Sequence, residues 1–171
     1  MSDLSNLRQT LSQLTTTYLA PEINFMALKQ LTDHFFNLLV DITGLEEAKN
    51  AHRNSLMLPG GKCIGSFWAG YCLMELMRTR QFVRGLYSGI LAAREKFPNT
   101  CIHVLYAGTG PFATLALPMT EIFSPQEIQF TLLEIQPESA SMLQKVIEAL
   151  QLGSFIHNVI VADATTYLID P

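Results

Sequence analysis

Apolar positions recur at helical spacing through the first ninety or so residues, then give way to short continuous apolar runs. Leu4, Leu7, Leu11, Leu14 and Tyr18 stand three or four apart behind a cap at Ser2 or Asp3, which predicts a helix over about residues 3–19. Pro21 separates it from a second helix, capped by Asn24 and carrying Phe25, Leu28, Leu31, Phe35 and Leu38 on one face. Thr43-Gly-Leu-Glu46 has the form of a capping box and predicts a short third helix. Both long helices are apolar on one side only, so mutual packing is expected, with a lid or a dimer contact as the other uses of such a face. Residues 54–65, broken by Pro59-Gly60-Gly61, read as a loop. A helical segment follows over about residues 66–96, with a break expected near Thr79 or Gly85 and with Arg78, Arg80, Arg84 and Arg94 along it.

After Asn99-Thr100 the texture changes to strands alternating with helices. Residues 102–107, 129–135 and 155–161 read as strands, and their unbroken apolar character suits parallel strands covered on both faces. Helices are expected over 111–123, opened by Pro111, and over 137–150, with Pro137 in its first turn and Gly153 just past its end. A further helix is expected from Thr165. Strands joined by helices of this length make right-handed βαβ units. The expected fold class is therefore α/β: a partial parallel sheet of three strands in the order 3-2-1, preceded by an all-helical region. The division falls near residue 97, giving a helical part at 1–96 and a ligand-binding half-domain at 97–171.

The chain has 171 residues, 49% hydrophobic and 15% charged, enough for a sizeable core. Its net charge of −4 is unevenly spread: residues 1–96 carry ten Lys and Arg against eight Asp and Glu, residues 97–171 one against seven. An acidic second half disfavours nucleic acid or a polyphosphate as its main ligand. Cys63, Cys72 and Cys101 lack metal-ligand spacing and are expected to be reduced, buried residues of a cytoplasmic protein. The first residues lack a signal-peptide pattern, and no uncharged apolar run reaches about 18 residues, so no membrane segment is expected.

The chemistry concentrates at Cys101–Pro111, where a strand meets a turn built on Gly108 and Gly110. Gly108-Thr-Gly-Pro-Phe-Ala113 matches G-x-G-x-x-A, and Glu134 ends the next strand. The pattern alone is weak, but a preceding strand and a following acid strengthen it. An acid in that place projects beside the turn and can accept both hydroxyls of a ribose. A dinucleotide would need backbone N–H groups for its pyrophosphate, yet Pro111 removes one and no Lys or Arg lies between Cys101 and Glu134. S-adenosylmethionine carries no phosphate and has a cationic sulfonium, so it suits this half better than a nicotinamide cofactor. Asp163, just after the third strand, can read an adenine rim with its side chain and the adjacent Ala164 N–H, can cap a helix beginning at about Ala164, or can do both.

Val104-Leu-Tyr-Ala-Gly-Thr-Gly-Pro-Phe, then Leu132-Leu-Glu-Ile-Gln-Pro, then Val161-Ala-Asp-Ala, resembles the motif order of class I S-adenosylmethionine-dependent methyltransferases. Glu75-Leu-Met-Arg78-Thr-Arg-Gln-Phe82 is similar to the helix preceding the first strand in protein arginine methyltransferases. The resemblance covers roughly residues 66–167 and implies a Rossmann-like sheet. It nominates Arg78 for the carboxylate of the methionine moiety, with Arg80 and Arg84 as competing assignments. The implied cofactor-binding set is Arg78, Tyr106, Ala107, Gly108, Thr109, Gly110, Glu134, Ile135, Asp163 and Ala164. No catalytic residue and no metal are implied. Tyr106 stands where many of these enzymes carry an acid, and Met57, Phe67 and Trp68 are candidates to cover a ligand. The methyl acceptor is unidentified, protein arginine being suggested by the resemblance alone. Strand 102–107 is expected to pair with a second copy, in a homo-oligomer, with another chain, or with a missing C-terminal half. The alternative is a non-catalytic module that senses adenosylmethionine or dimerises, and a nicotinamide-dependent oxidoreductase is a distant third.

Overall fold

The computed structural model describes residues 2–58 and 61–169. Helix α1 (Ser2–Leu19) turns Leu7, Leu11, Leu14 and Tyr18 inward, each at most 1% exposed, against Leu28, Phe35 and Leu39 of α2 (Phe25–Thr43). The i, i+4, i+7 spacing is what puts these four on one stripe, and truncating any of the leucines to alanine would cost about 2–5 kcal/mol. Asn24 caps α2, its Oδ1 accepting from Ala27 N at 3.0 Å. Phe25, expected on the packed face, is instead exposed at the helix start.

Thr43 does not cap a third helix. It is the last residue of α2, its hydroxyl donating back to Leu39 O at 2.7 Å, and Gly44 ends the helix in the left-handed region at φ 71°. Glycine after threonine made a helix stop of what looked like a start. The short α3 (Asn50–Arg53) begins later and has no side-chain cap.

The N-terminal part is not all helical. Strands β1 (Leu56–Leu58) and β2 (Gly61–Cys63) pair antiparallel, Leu56 opposite Cys63, where a loop was expected. Helix α4 (Ser66–Tyr71) and a 3-10 turn at Cys72–Met74 then lead into α5 (Leu76–Lys96). The helical break falls at Glu75, with ψ 71°, and not at Thr79 or Gly85. Thr79 serves the break from below, its hydroxyl donating to Cys72 O at 3.2 Å.

Strands β3 (Ile102–Ala107), β4 (Ile128–Glu134) and β5 (Ile156–Val161) form a parallel sheet in the order β3-β4-β5, with a bulge in β5 opposite Phe130/Thr131. The fold is α/β, a helical N-terminal part leading into a three-stranded parallel sheet. Only β4 is covered on both faces. At the edge, β3 half-buries Ile102, Val104 and Tyr106 but exposes His103, Leu105 and Ala107, so burial on both faces does not hold there. On the exposed side the His103 and His157 rings meet edge-on at 4.8 Å, and His103 Nε2 lies 2.9 Å from Thr131 Oγ1.

The helix expected over 111–123 is reduced to α6 (Leu117–Thr120). Ala113 sits at φ 47°, a left-handed conformation that no α-helix continues through, so residues 110–116 run as hydrogen-bonded turns. Helix α7 (Pro137–Ala149) follows β4 as expected. The helix expected from Thr165 is absent: residues 164–166 form one turn, and no helix follows through residue 169. One apolar cluster joins Leu11, Leu39 and Val83 of the helical part to Phe112, Phe130 and Leu143 beneath the sheet. The three cysteines are free, but none is fully buried: Cys63 and Cys72 are half-buried and Cys101 is exposed, against expectation. No helix among the described residues is long and apolar enough to cross a membrane.

Candidate functional site

At the carboxyl ends of β3 and β4 lies a cavity of about 560 Å³, a volume in the usual range for a small-molecule site. Its floor is the turn after β3 together with Glu134 and Ile135. Gly108 and Gly110 take left-handed φ values of 71° and 61°. At Gly110 a Cβ would also stand 3.3 Å from the Ala69 methyl, so the turn requires glycine there.

Glu134 is only 5% exposed and both its oxygens are engaged by backbone. Its Oε2 accepts from Gly110 N at 2.7 Å and its Oε1 from Gln136 N at 2.9 Å. Each oxygen keeps a second lone pair for a ligand. The amides of Gly108 and Thr109 both donate to Leu133 O, at 2.9 and 3.2 Å. Pro111 has none. From Gly108 through Pro111, therefore, every backbone N–H is already used or missing, and no α-helix starts at the turn. A phosphate would find neither amides nor a helix dipole here.

The three arginines separate cleanly. Arg78 lines the cavity, paired with Glu75 at 2.8 Å, its guanidinium 5.8 Å from the centre of the Phe82 ring. Hydrogen bonding to Glu75 holds the Arg78 guanidinium further above its ordinary pKa. Arg80 and Arg84 turn away: Arg80 donates to Ala20 O, and Arg84 Nη1 to Leu19 O and Ala20 O at 3.1 and 3.0 Å. They close the carbonyl end of α1, a structural use.

Tyr106 projects from β3 into the cavity. Burial pushes its phenol up to about 12, only partly offset by a hydrogen bond with the Leu115 backbone, so it is neutral at ordinary pH. Thr109, 4% exposed, turns its hydroxyl onto Gly110 O at 3.2 Å. The cavity thus gathers Arg78, Tyr106, Gly108, Thr109, Gly110, Glu134 and Ile135 from the expected set.

Ala107, Asp163 and Ala164 do not line it. Asp163 Oδ1 accepts from Thr165 N at 2.9 Å and Thr165 Oγ1 at 2.8 Å, bonds that hold its carboxyl below the ordinary value, the backbone one foremost. Asp163 therefore caps the turn at residues 164–166, where a capped helix from about Ala164 was expected. Met57, Phe67 and Trp68 do not line the cavity either; Phe67 and Trp68 instead pack with Tyr71 in an aromatic group. Among the residues sequence reasoning missed are Lys62, Cys63 and Ile64, which form one wall at the β-hairpin, and Cys72 and Thr79 beside the helical break. No local pattern marked the hairpin.

No protein-family model matches the chain, and no curated protein or solved structure does so.

Proposed function

We propose that this chain is the S-adenosylmethionine-binding part of a methyltransferase, with the three strands forming one side of a Rossmann-like sheet. The observation that carries the reading is a buried carboxylate with free lone pairs beside a turn whose amides are all committed. That combination favours a ribose and disfavours a pyrophosphate. Glu134 would take the ribose hydroxyls and Arg78 the amino-acid carboxylate, onto which a guanidinium can fork with two N–H bonds. Tyr106, Thr109, Gly108, Gly110 and Ile135 supply the surrounding surface. Asp163 and Ala164 are left out of this set. When bound, adenosylmethionine supplies an electrophilic methyl carbon on a sulfonium.

The chain's own contribution is binding and alignment, which can supply much of the rate of a direct displacement. Tyr106 holds its proton, and no lining residue is assigned as a general base. The acceptor is unidentified; protein arginine rests on the resemblance alone. The absence of an assigned base among the lining residues favours a second reading, a non-catalytic module that senses an adenosyl ligand. The outer edge of β3, unpaired among the described residues, supports pairing with a further strand, from a second copy or another segment, because an apolar edge strand left open invites association. Free cysteines support the cytoplasmic assignment.

Calorimetry with adenosylmethionine, S-adenosylhomocysteine and the oxidised nicotinamide dinucleotide tests the reading. Binding of the first two without the third supports it, and binding of the dinucleotide alone overturns it. Turnover of a methyl acceptor would exclude the sensing alternative.

A further inference from the structure

Gln136 lies two residues beyond β4, is 3% exposed, and joins the cavity floor to its wall. Its backbone N–H donates to Glu134 Oε1 at 2.9 Å. Its side chain reaches the other way: Nε2 donates to Ile64 O and lies 3.7 Å from Cys63 Sγ. Cys63 and Ile64 are wall residues, Glu134 a floor residue.

The wall has little else to hold it. Leu56, Met57, Gly61 and Lys62 are all exposed, so apolar burial does not place these residues. Its root is fixed at Gly65, where a Cβ would stand 2.6 Å from His52 O, and at Ser66, whose Oγ accepts from Ser139 Oγ at 2.8 Å. Beyond that root, the Gln136 amide makes the only hydrogen bonds among the described residues that tie residues 61–64 to the sheet, to Ile64 O and to Cys63 Sγ.

We infer that Gln136 is a positioning residue: its side-chain amide holds the hairpin wall against the carboxylate of Glu134 and so sets the width of the pocket. The inference rests on the adenosylmethionine reading for the name of the ligand, while the tie itself is independent of it. What the wall needs is a donor for Ile64 O, since a carbonyl that loses its partner in a half-buried place loosens the segment carrying it.

Two variants separate donor from bulk. Gln136→Met keeps length and packing but cannot donate. Gln136→Glu keeps the shape and donates only when protonated. Hydrogen exchange of residues 61–64, thermal melting and titration with S-adenosylhomocysteine are read on each. For Gln136→Met, exchange at 61–64 should quicken about tenfold and ligand affinity fall about tenfold, the size of one lost hydrogen bond. The melting midpoint should move by no more than about 3 °C. Gln136→Glu should match Gln136→Met at neutral pH and recover wild-type protection, corrected for intrinsic rate, toward about pH 4. Unchanged exchange at 61–64 in Gln136→Met overturns the inference. So does faster exchange spread through α1 and α7 with a lowered midpoint, which would make Gln136 an ordinary core contact. A hairpin that responds as expected in a protein that binds no adenosyl ligand sinks the ligand reading and leaves the positioning role standing.

Discussion

Replacing Glu134 with glutamine preserves shape and removes charge, and its consequences can be worked from the two backbone bonds. The carboxylate accepts from Gly110 N at 2.7 Å and from Gln136 N at 2.9 Å in a site only 5% exposed. Glutamine has one acceptor oxygen, so one of these donors would face an NH2 group. A hydrogen bond to a charged group is worth about 1.5–3 kcal/mol, and that is the expected loss in stability. In a chain of this size it lowers the melting midpoint by about 3–12 °C, which scanning calorimetry resolves. The same substitution leaves one acceptor for two ribose hydroxyls. Losing one charge-assisted bond weakens adenosylmethionine binding by about 10- to 150-fold, measurable by titration calorimetry. Glu134→Ala is a poorer test, because two buried N–H groups would be left without partners and unfolding would mask the binding effect. An unchanged midpoint in Glu134→Gln would mean that the carboxylate does not brace the turn. Unchanged affinity with a lowered midpoint would remove Glu134 from the ligand and leave it a structural residue.

The arginines should divide in experiment as they do in space. Arg78→Lys should cut adenosylmethionine affinity about tenfold at little cost in stability, since a lysine cannot fork onto a carboxylate. Arg80→Ala should do the reverse, lowering stability by about 1.5–3 kcal/mol as the end of α1 loses a charged donor, without touching affinity at temperatures where it stays folded. The phenol of Tyr106, raised to about 12, favours its protonated form in the fold. Stability from this group is therefore complete below about pH 10 and is lost as pH climbs toward 12, by about 2–3 kcal/mol. Alkaline unfolding of Tyr106→Phe should show a correspondingly shallower limb. Alkylation should label exposed Cys101 first, and S-adenosylhomocysteine should slow labelling of Cys63 and Cys72, which line the cavity, while leaving Cys101 unchanged. Tandem mass spectrometry of tryptic peptides reads all three, resolving Cys63 from Cys72 within the peptide 63–78 that carries both.

Much of the architecture was written in local patterns strong enough to survive folding. The stripe Leu7, Leu11, Leu14 and Tyr18, the Asn24 cap, and Pro137 at the start of α7 all behave as their spacing dictates, and the apolar runs of β3, β4 and β5 form parallel strands, although only β4 is covered on both faces. Failures came where one residue can serve two structures. Thr43-Gly44 ends a helix because glycine takes φ 71°, although the same residues can begin one. Residues 111–123 have helical composition, but Ala113 in the left-handed region and Pro118 leave room for one turn of helix only. Strands of three residues, Leu56–Leu58 and Gly61–Cys63, are too short to carry an alternation that can be read. In the site, Glu134 and the glycine turn were legible because strand, turn and acid occur in order along the chain. Lys62, Cys63 and Ile64 were not, because only tertiary folding carries the hairpin to the end of β4. The identity of the cavity-facing arginine needed three dimensions too, since all three lie within seven residues of one helix.

The most direct test is a structure of the chain with S-adenosylhomocysteine bound. The ribose hydroxyls are expected on Glu134, with the amino-acid carboxylate on Arg78 and no ligand atom bonded to the amides of Gly108 to Gly110. A ligand seated elsewhere, or one whose ribose leaves Glu134 to the backbone alone, would contradict the assignment of this cavity.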